Sequence, residues 1–210
     1  MSIVTLSAAF GAGGGIVGPA VAERLGVPFV DRAIPVRVAN DLGVPVEDAL
    51  ARDEKVKGWL ARMLHSAAPL SGEYMLGYDA PRVALLPDSE YLECTKSAIR
   101  RVVADSGGVI LGRAAALVLR DHPTALHVRL DGPPERRVRQ VMRSQRMSED
   151  DARAMMEHND AARTSYVRHF YRCDPADPSH YHLVLDSTRL SLDACADLIV
   201  AAAKVGQQAA

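Results

Sequence analysis

Apolar residues fall into two rhythms along this chain. Short unbroken runs, one opening at Ile3 and others over Val27 to Val30, Val109 to Leu111, Ala125 to Leu130 and Tyr181 to Leu185, have the length of buried strands. Between them the apolar positions recur at helical spacing. This predicts a first helix ending at Leu25, helices over 33–42 and 46–64, one from Ser89 to Ala104, and a short one ending at Leu119. An arginine-dense helix follows Pro133-Pro134. Ser148 then caps a long helix through Tyr171, and Ser191 caps a last one to Lys204. The stretch His65 to Asp88 breaks the rhythm with three prolines and two glycines, and reads as a ligand-responsive segment rather than core.

Strands alternating with helices predict an α/β fold with a parallel sheet covered on both faces, whose ligands bind beyond the carboxyl ends of the strands. Asp31-Arg32, Gly112-Arg113, Asp131 and Asp186-Ser187-Thr188 each follow an apolar strand, so they converge at that end. The first strand runs into FGAGGGIVG, where Gly11, Gly13, Gly14 and Gly15 surround Ala12 and lead into a helix. Glycines that accept positive φ let the main chain close on an anion, and the helix start adds unpaired N–H groups and a positive dipole end. A complete phosphate loop of this kind ends in Gly-Lys-Ser/Thr, its lysine on the phosphates and its hydroxyl on magnesium. Here Gly14 takes the place of the lysine and Ile16 that of the hydroxyl. The competing reading is a turn in which glycine serves only tight packing.

Size and charge narrow the picture. A chain of 210 residues suits one α/β domain with a small lid, and no internal repeat is visible. A net charge of -1 gives no general attraction to nucleic acid or to an anionic membrane, so any basic site is local. Cys94, Cys173 and Cys195 are odd in number and widely spaced, which suits a reducing compartment. No apolar run approaches the ~20 residues of a membrane span. A cytoplasmic protein is the expectation.

Phosphoryl transfer needs cations around a spreading negative charge, and the arginine-dense helix offers Arg136, Arg137, Arg139, Arg143 and Arg146. Helical spacing sets Arg136, Arg139, Arg143 and Arg146 near one face and swings Arg137 aside. Asp160 and Arg163, three apart, share a face and either clamp a sugar and its phosphate or form a simple intrahelical ion pair. His180 and His182 alternate along a strand. They suit a structural pair better than a two-histidine metal site.

Taken in order, FGAGGGIVG, FVDRAI, VILGRAA, PPERRVRQVMRSQRMSEDDA, NDAARTSYVRHFY and YHLVLDSTRLSLDACADLI resemble the cytidylate kinase-like family of nucleoside monophosphate kinases, nearly end to end. The resemblance implies a P-loop kinase-like three-layer fold with a parallel five-stranded sheet and a helical lid. It implies a single domain over 1–210, with a variable acceptor-side segment at about 33–88 and a lid at about 134–172. It also implies ATP and Mg2+ as cofactors and a nucleotide or small phosphorylated metabolite as partner, with neither nucleic acid nor membrane. By the same resemblance Gly11, Ala12, Gly13, Gly14 and Gly15 hold donor phosphates, while Arg32, Arg113, Asp160 and Arg163 grip the acceptor. With the loop cation missing, Arg143 and Arg146 of the lid stand in for it, and Asp31 or Asp186 holds magnesium through water. Members of this branch often carry Ser-Arg-Glu before the loop and Arg-Glu at its end, where this chain has Ser7-Ala8-Ala9 and Gly15-Ile16. Typical cytidylate kinases flank the Gly-Arg of the third strand with aspartates, and here Leu111 and Ala114 stand there. Two activities follow as expectations: transfer from ATP to CMP or a related small acceptor, or regulatory nucleotide binding without transfer.

Overall fold

In the computed structural model, residues 1–30 and 88–208 are described. Two compact units divide the chain. One comprises residues 1–31 and 99–210 and carries the sheet; the other comprises residues 32–98, whose described part is the start of one helix. The helices expected over 33–42 and 46–64 and the irregular stretch 65–88 lie, but for Asp88, outside the described residues, as do Asp31 and Arg32.

In chain order the elements are β1 (Ile3–Ala8), α1 (Gly14–Leu25), β2 (Phe29–Val30), α2 (Asp88–Ser106), β3 (Gly108–Leu111), α3 (Ala115–Val118), β4 (Ala125–Asp131), α4 (Pro134–Gln145), α5 (Glu149–Tyr171), β5 (Leu183–Asp186) and α6 (Leu192–Gln208). All strand pairs are parallel, in the order β2-β3-β1-β4-β5. The expected five-stranded parallel sheet is therefore present, with β1 at its centre and the glycine turn at its carboxyl edge.

Alternation along the strands sorts the core. Val4 and Leu6 of β1 and Val128 and Leu130 of β4 pack with Val17 and Val21 of α1 and with Ala196, Ile199 and Ala203 of α6. Leu6, Leu130 and Ile199 are fully buried, and each such side chain stabilises the fold by roughly 1.5–3 kcal/mol. Gly18 of α1 lets the helix close on β2, since a Cβ there would lie 2.4 Å from the Phe29 ring. The expected caps are seen as well. Ser148 accepts the Asp151 N–H at 3.2 Å and Ser191 that of Ala194 at 3.1 Å.

The histidine alternation is corrected. His180 ends a short 3-10 turn (Pro178–His180) and His182 precedes β5, so the two do not share a strand face. Asp177 explains this, because its carboxylate accepts the Ser179 N–H at 2.9 Å and winds the chain before the ladder begins. His182 instead stacks on His127, with ring centroids 4.8 Å apart, and its Nδ1 accepts the His127 N–H at 3.1 Å. Among the described residues no cluster of metal-ligating side chains forms.

His127 faces Thr5 across the β1–β4 ladder, Nδ1 to hydroxyl 2.8 Å, and is 3% exposed. Burial, with repulsion from His182 next, lowers its pKa from 6.5 to about 4. The unfolded chain thus binds a proton that the folded chain refuses, and stability is lost as pH falls through 6.5 toward 4. Urea unfolding at pH 7.5 and pH 4.5 should show the His127→Gln variant losing about 2 kcal/mol less than wild type over that interval.

Candidate functional site

The turn after β1 is anchored at both ends. Ala9 N–H donates to Leu130 O at 3.1 Å, and Ala12 N–H returns to Ala9 O at 3.1 Å. Gly11 and Gly13 both take left-handed backbone, φ +80° and +78°, which a side chain would oppose. Packing adds a second demand. A Cβ on Gly11 would meet Arg137 O and Val141 at 2.8 Å, one on Gly13 would meet Leu192 at 2.5 Å, and one on Gly14 would meet Ala8 at 2.7 Å. Gly15 has nothing within 4 Å of that position.

Three successive carbonyls of the turn are taken by donors from outside it. Arg137 Nη1 reaches Phe10 O at 2.8 Å, Gln140 Nε2 reaches Gly11 O at 2.9 Å, and Ser187 Oγ reaches Ala12 O at 2.8 Å. In a trans peptide the N–H points opposite its C=O. Fixing those oxygens therefore turns the Gly11 and Gly13 N–H groups the other way. Gly14 and Gly15 open α1, where N–H groups lack intrahelical acceptors, and Gly13 caps the helix without a side chain. None of these four N–H groups meets an acceptor among the described residues. Tight packing and open amides are thus two aspects of the same turn.

Arg137 is the hub of this arrangement. Besides Phe10 O it holds Asp160 Oδ2 at 2.6 Å and, through Nε, Gly132 O at 2.9 Å, while Asp160 Oδ1 accepts the Phe10 N–H at 2.8 Å. As expected, Arg137 swings aside from the face of Arg136, Arg139 and Arg143, and it does so into the interior: it is 7% exposed and shares a stripe with buried Val138 and Val141. Both carboxylate oxygens of Asp160 are engaged by the loop and the lid, and Arg163 touches Oδ1 only at 3.4 Å from a half-exposed position. Val138, Val141, Ala152 and Met156 pack the two lid helices together, with Phe10 of the turn against them.

A groove of ~410 Å³ abuts the turn, lined by Arg136, Arg139, Gln140, Arg143, Ser144, Thr188 and Leu192. Arg136, Arg139 and Arg143 share it because they recur at i, i+3 and i+7. Arg146 does not. It lies past the end of α4 with φ +54°, so its face of the helix has ended. Arg136 pairs with Asp186 at 3.2 Å, and the Thr188 hydroxyl donates to Asp186 Oδ1 at 2.5 Å. The Thr188 bond, more than the Arg136 charge, holds the Asp186 carboxyl below the usual carboxylate range. Arg139 and Arg143 pair with no carboxylate among the described residues.

At the end of β3, Gly112, Arg113 and Ala114 are three consecutive left-handed residues, φ +76°, +58° and +52°. Such backbone costs a non-glycine residue roughly 1–2 kcal/mol, and strain of this kind gathers at ligand sites. Magnesium does not find a fitting donor set among the described residues. Ile16 has no oxygen, Asp131 accepts Arg129 at 2.6 Å and Gly132 N–H at 2.8 Å, and Asp160 and Asp186 are committed as above.

The cytidylate kinase-like family model matches residues 3–189. The chain belongs to the cytidylate kinase-like family. A cytidylate kinase from Methanopyrus kandleri is 32% identical over 112 residues, 49% of this chain and 58% of that protein. A uronate isomerase from Corynebacterium glutamicum is 32% identical over 94 residues, 45% of this chain and 18% of that protein. The chain thus spans less than two thirds of the curated relatives it matches. Among solved structures, an uncharacterized protein from Eubacterium ventriosum superposes with a TM-score of 0.65 at 18% identity, covering 97% of this chain and 99% of that one. A sugar kinase from Janibacter does so at 0.51 and 16% identity, covering 96% and 93%. The fold is that of the P-loop kinases. In this chain Gly14 lies so close to Ala8 that a Cβ there would meet its side chain at 2.7 Å.

Of the residues expected from the sequence, Arg143 lines the groove, Gly11 to Gly15 form the turn that Gln140 and Leu192 join to it, Asp160 bonds the turn through Phe10, and Arg113 and Arg163 do not line the groove. Ser187, expected at this edge, does reach the turn, whereas the parts played by Arg137, Gln140 and Leu192 were missed. The readable signal for Arg137 was its place on the apolar stripe of α4, one before Val138 and four before Val141.

Arg137→Leu should cost about 3 kcal/mol in urea unfolding, because it strands a carboxylate and two carbonyls. Arg163→Ala should cost under about 1 kcal/mol. Ala114→Gly should stabilise by about 1 kcal/mol, seen as a raised Tm, by relieving left-handed backbone.

Proposed function

We propose that this protein binds a nucleoside triphosphate and transfers its terminal phosphoryl group to CMP or a related small acceptor. The observation that supports the reading most is the set of four outward amides at Gly11, Gly13, Gly14 and Gly15, beside a groove lined by three guanidiniums. The amides take the phosphate oxygens, as oriented N–H groups at a helix start do. Arg139 and Arg143 oppose the charge that spreads over the transferring group. In the step itself the bond from the terminal phosphorus to its bridging oxygen breaks and a bond to an acceptor phosphate oxygen forms. The donor leaves as a diphosphate. Arg113 and Arg163 hold the acceptor in this reading, while Asp160 positions the loop through Phe10.

A second reading, nucleotide binding without transfer, is favoured by Gly14 and Ile16, which leave the loop with neither ammonium nor hydroxyl. Calorimetry with ATP and with CMP, followed by an assay for equal amounts of CDP and ADP, separates the two. Turnover that falls about 100-fold or more in Arg143→Ala supports transfer. CMP binding with no diphosphate formed supports the second reading, and no saturable binding of either nucleotide rejects both. Gly15→Arg should fold with an unchanged Tm, since nothing lies within 4 Å of its Cβ. It should bind ATP about tenfold more tightly by supplying a further charge-assisted donor.

A further inference from the structure

We infer that the anion site of this protein binds its polyphosphate without a divalent cation, the charge being balanced by arginines of α4 instead. The inference rests on the preceding reading for the location of the site, and on three observations for its chemistry.

First, among the described residues the side-chain oxygens beside the turn are spoken for. A divalent ion of the magnesium kind needs several oxygen ligands in near-octahedral order. Each described aspartate beside the turn already accepts from a guanidinium: Asp131 from Arg129, Asp160 from Arg137, and Asp186 from Arg136. Releasing one to a metal would strip its arginine of its carboxylate, and for Arg137 that arginine is buried with only carbonyl partners left. Second, the position that supplies a hydroxyl in a complete loop carries Ile16, 58% exposed at the start of α1. An apolar side chain there offers a cation no ligand. Third, cations are present in surplus. Arg139 and Arg143 line the groove and pair with no described carboxylate, so they meet an incoming anion without breaking an existing bond. Guanidinium is weakly hydrated and presents planar paired donors, which suits it to phosphate in the role an ion would otherwise fill.

A metal and these arginines then compete for the same phosphate oxygens. Adding magnesium lowers the charge of the ligand and weakens its attraction to the groove, the reverse of what a loop with its own metal ligands shows. Titrating wild type with ATP and with inorganic tripolyphosphate, in EDTA and in excess magnesium, tests this by calorimetry. The expected result is binding of both in EDTA, with affinity about threefold or more lower in magnesium and falling steeply with salt. The double variant Arg139→Ala, Arg143→Ala should lose about tenfold or more of the EDTA affinity. Both residues are exposed and unpaired, so an unchanged Tm shows that the fold is intact.

Binding that appears or tightens only with magnesium overturns the inference and leaves the nucleotide reading standing. Tripolyphosphate bound in EDTA, with ATP rejected, upholds the inference and overturns the nucleotide reading. Neither anion bound in either condition overturns both, and EDTA binding that survives the double variant removes the arginines as its cause.

Discussion

The orientation of three peptide planes decides which amides the glycine turn leaves open; Arg137, Gln140 and Ser187 each fix one of them, and the buried Arg137 guanidinium ties its plane to the rest of the fold. Arg137 binds Phe10 O, Gly132 O and Asp160 at once, so the turn, the root of the lid and the second lid helix share a single hub. Taking an arginine and a carboxylate out of water costs several kcal/mol, and their mutual attraction offsets this only when every donor is used. Such a pair adds little net stability over an apolar contact. What it adds is uniqueness, because any other packing of α4 and α5 would leave a charge or a carbonyl unsatisfied. Gly132 belongs to the same device, since a Cβ there would lie 2.5 Å from Thr188 and push the lid root off β5.

The sheet, its parallel sense, the glycine turn and the caps at Ser148 and Ser191 were legible in the chain because each depends on residues within a few positions of one another. Unbroken apolar runs mark strands covered on both faces, and the positions where they end mark the ligand edge. The hub was not legible in that way. Arg137 and Asp160 lie 23 residues apart on different helices, and Phe10 lies a further 127 residues from Arg137. No local pattern links them. Helical periodicity set four of the five arginines on one face, and Arg136, Arg139 and Arg143 do share it, while Arg146 lies past the end of the helix. Arg137 sits on the apolar stripe, which is where a charged residue signals a buried partner. Likewise His180 and His182 alternate as a strand would, but an aspartate winds the chain first, and one histidine finds a partner on β4 instead.

The resemblance to cytidylate kinases points to Asp160 and Arg163 as an acceptor clamp, and the geometry distributes the pair differently. Asp160 spends both oxygens on the turn and on Arg137, whereas Arg163 keeps one long contact and half its surface in water. Two residues three apart on one helix thus divide into a positioning role and an available cation. Family likeness carries the residue types across, and the contacts decide the tasks.

A loop with a lysine carries its positive charge in every conformation, because the ammonium grows from the loop itself. In this chain Gly14 and Ile16 supply no charge, and the guanidiniums that line the adjoining groove belong to α4. The helix that carries Arg139 and Arg143 along the adjoining groove also supplies the Arg137 and Gln140 donors that keep Phe10 O and Gly11 O aside, so one element links the orientation of the turn's peptides to the placement of these cations. If α4 swung away, Phe10 O and Gly11 O would lose their partners, and the adjoining peptides could rotate toward other donors.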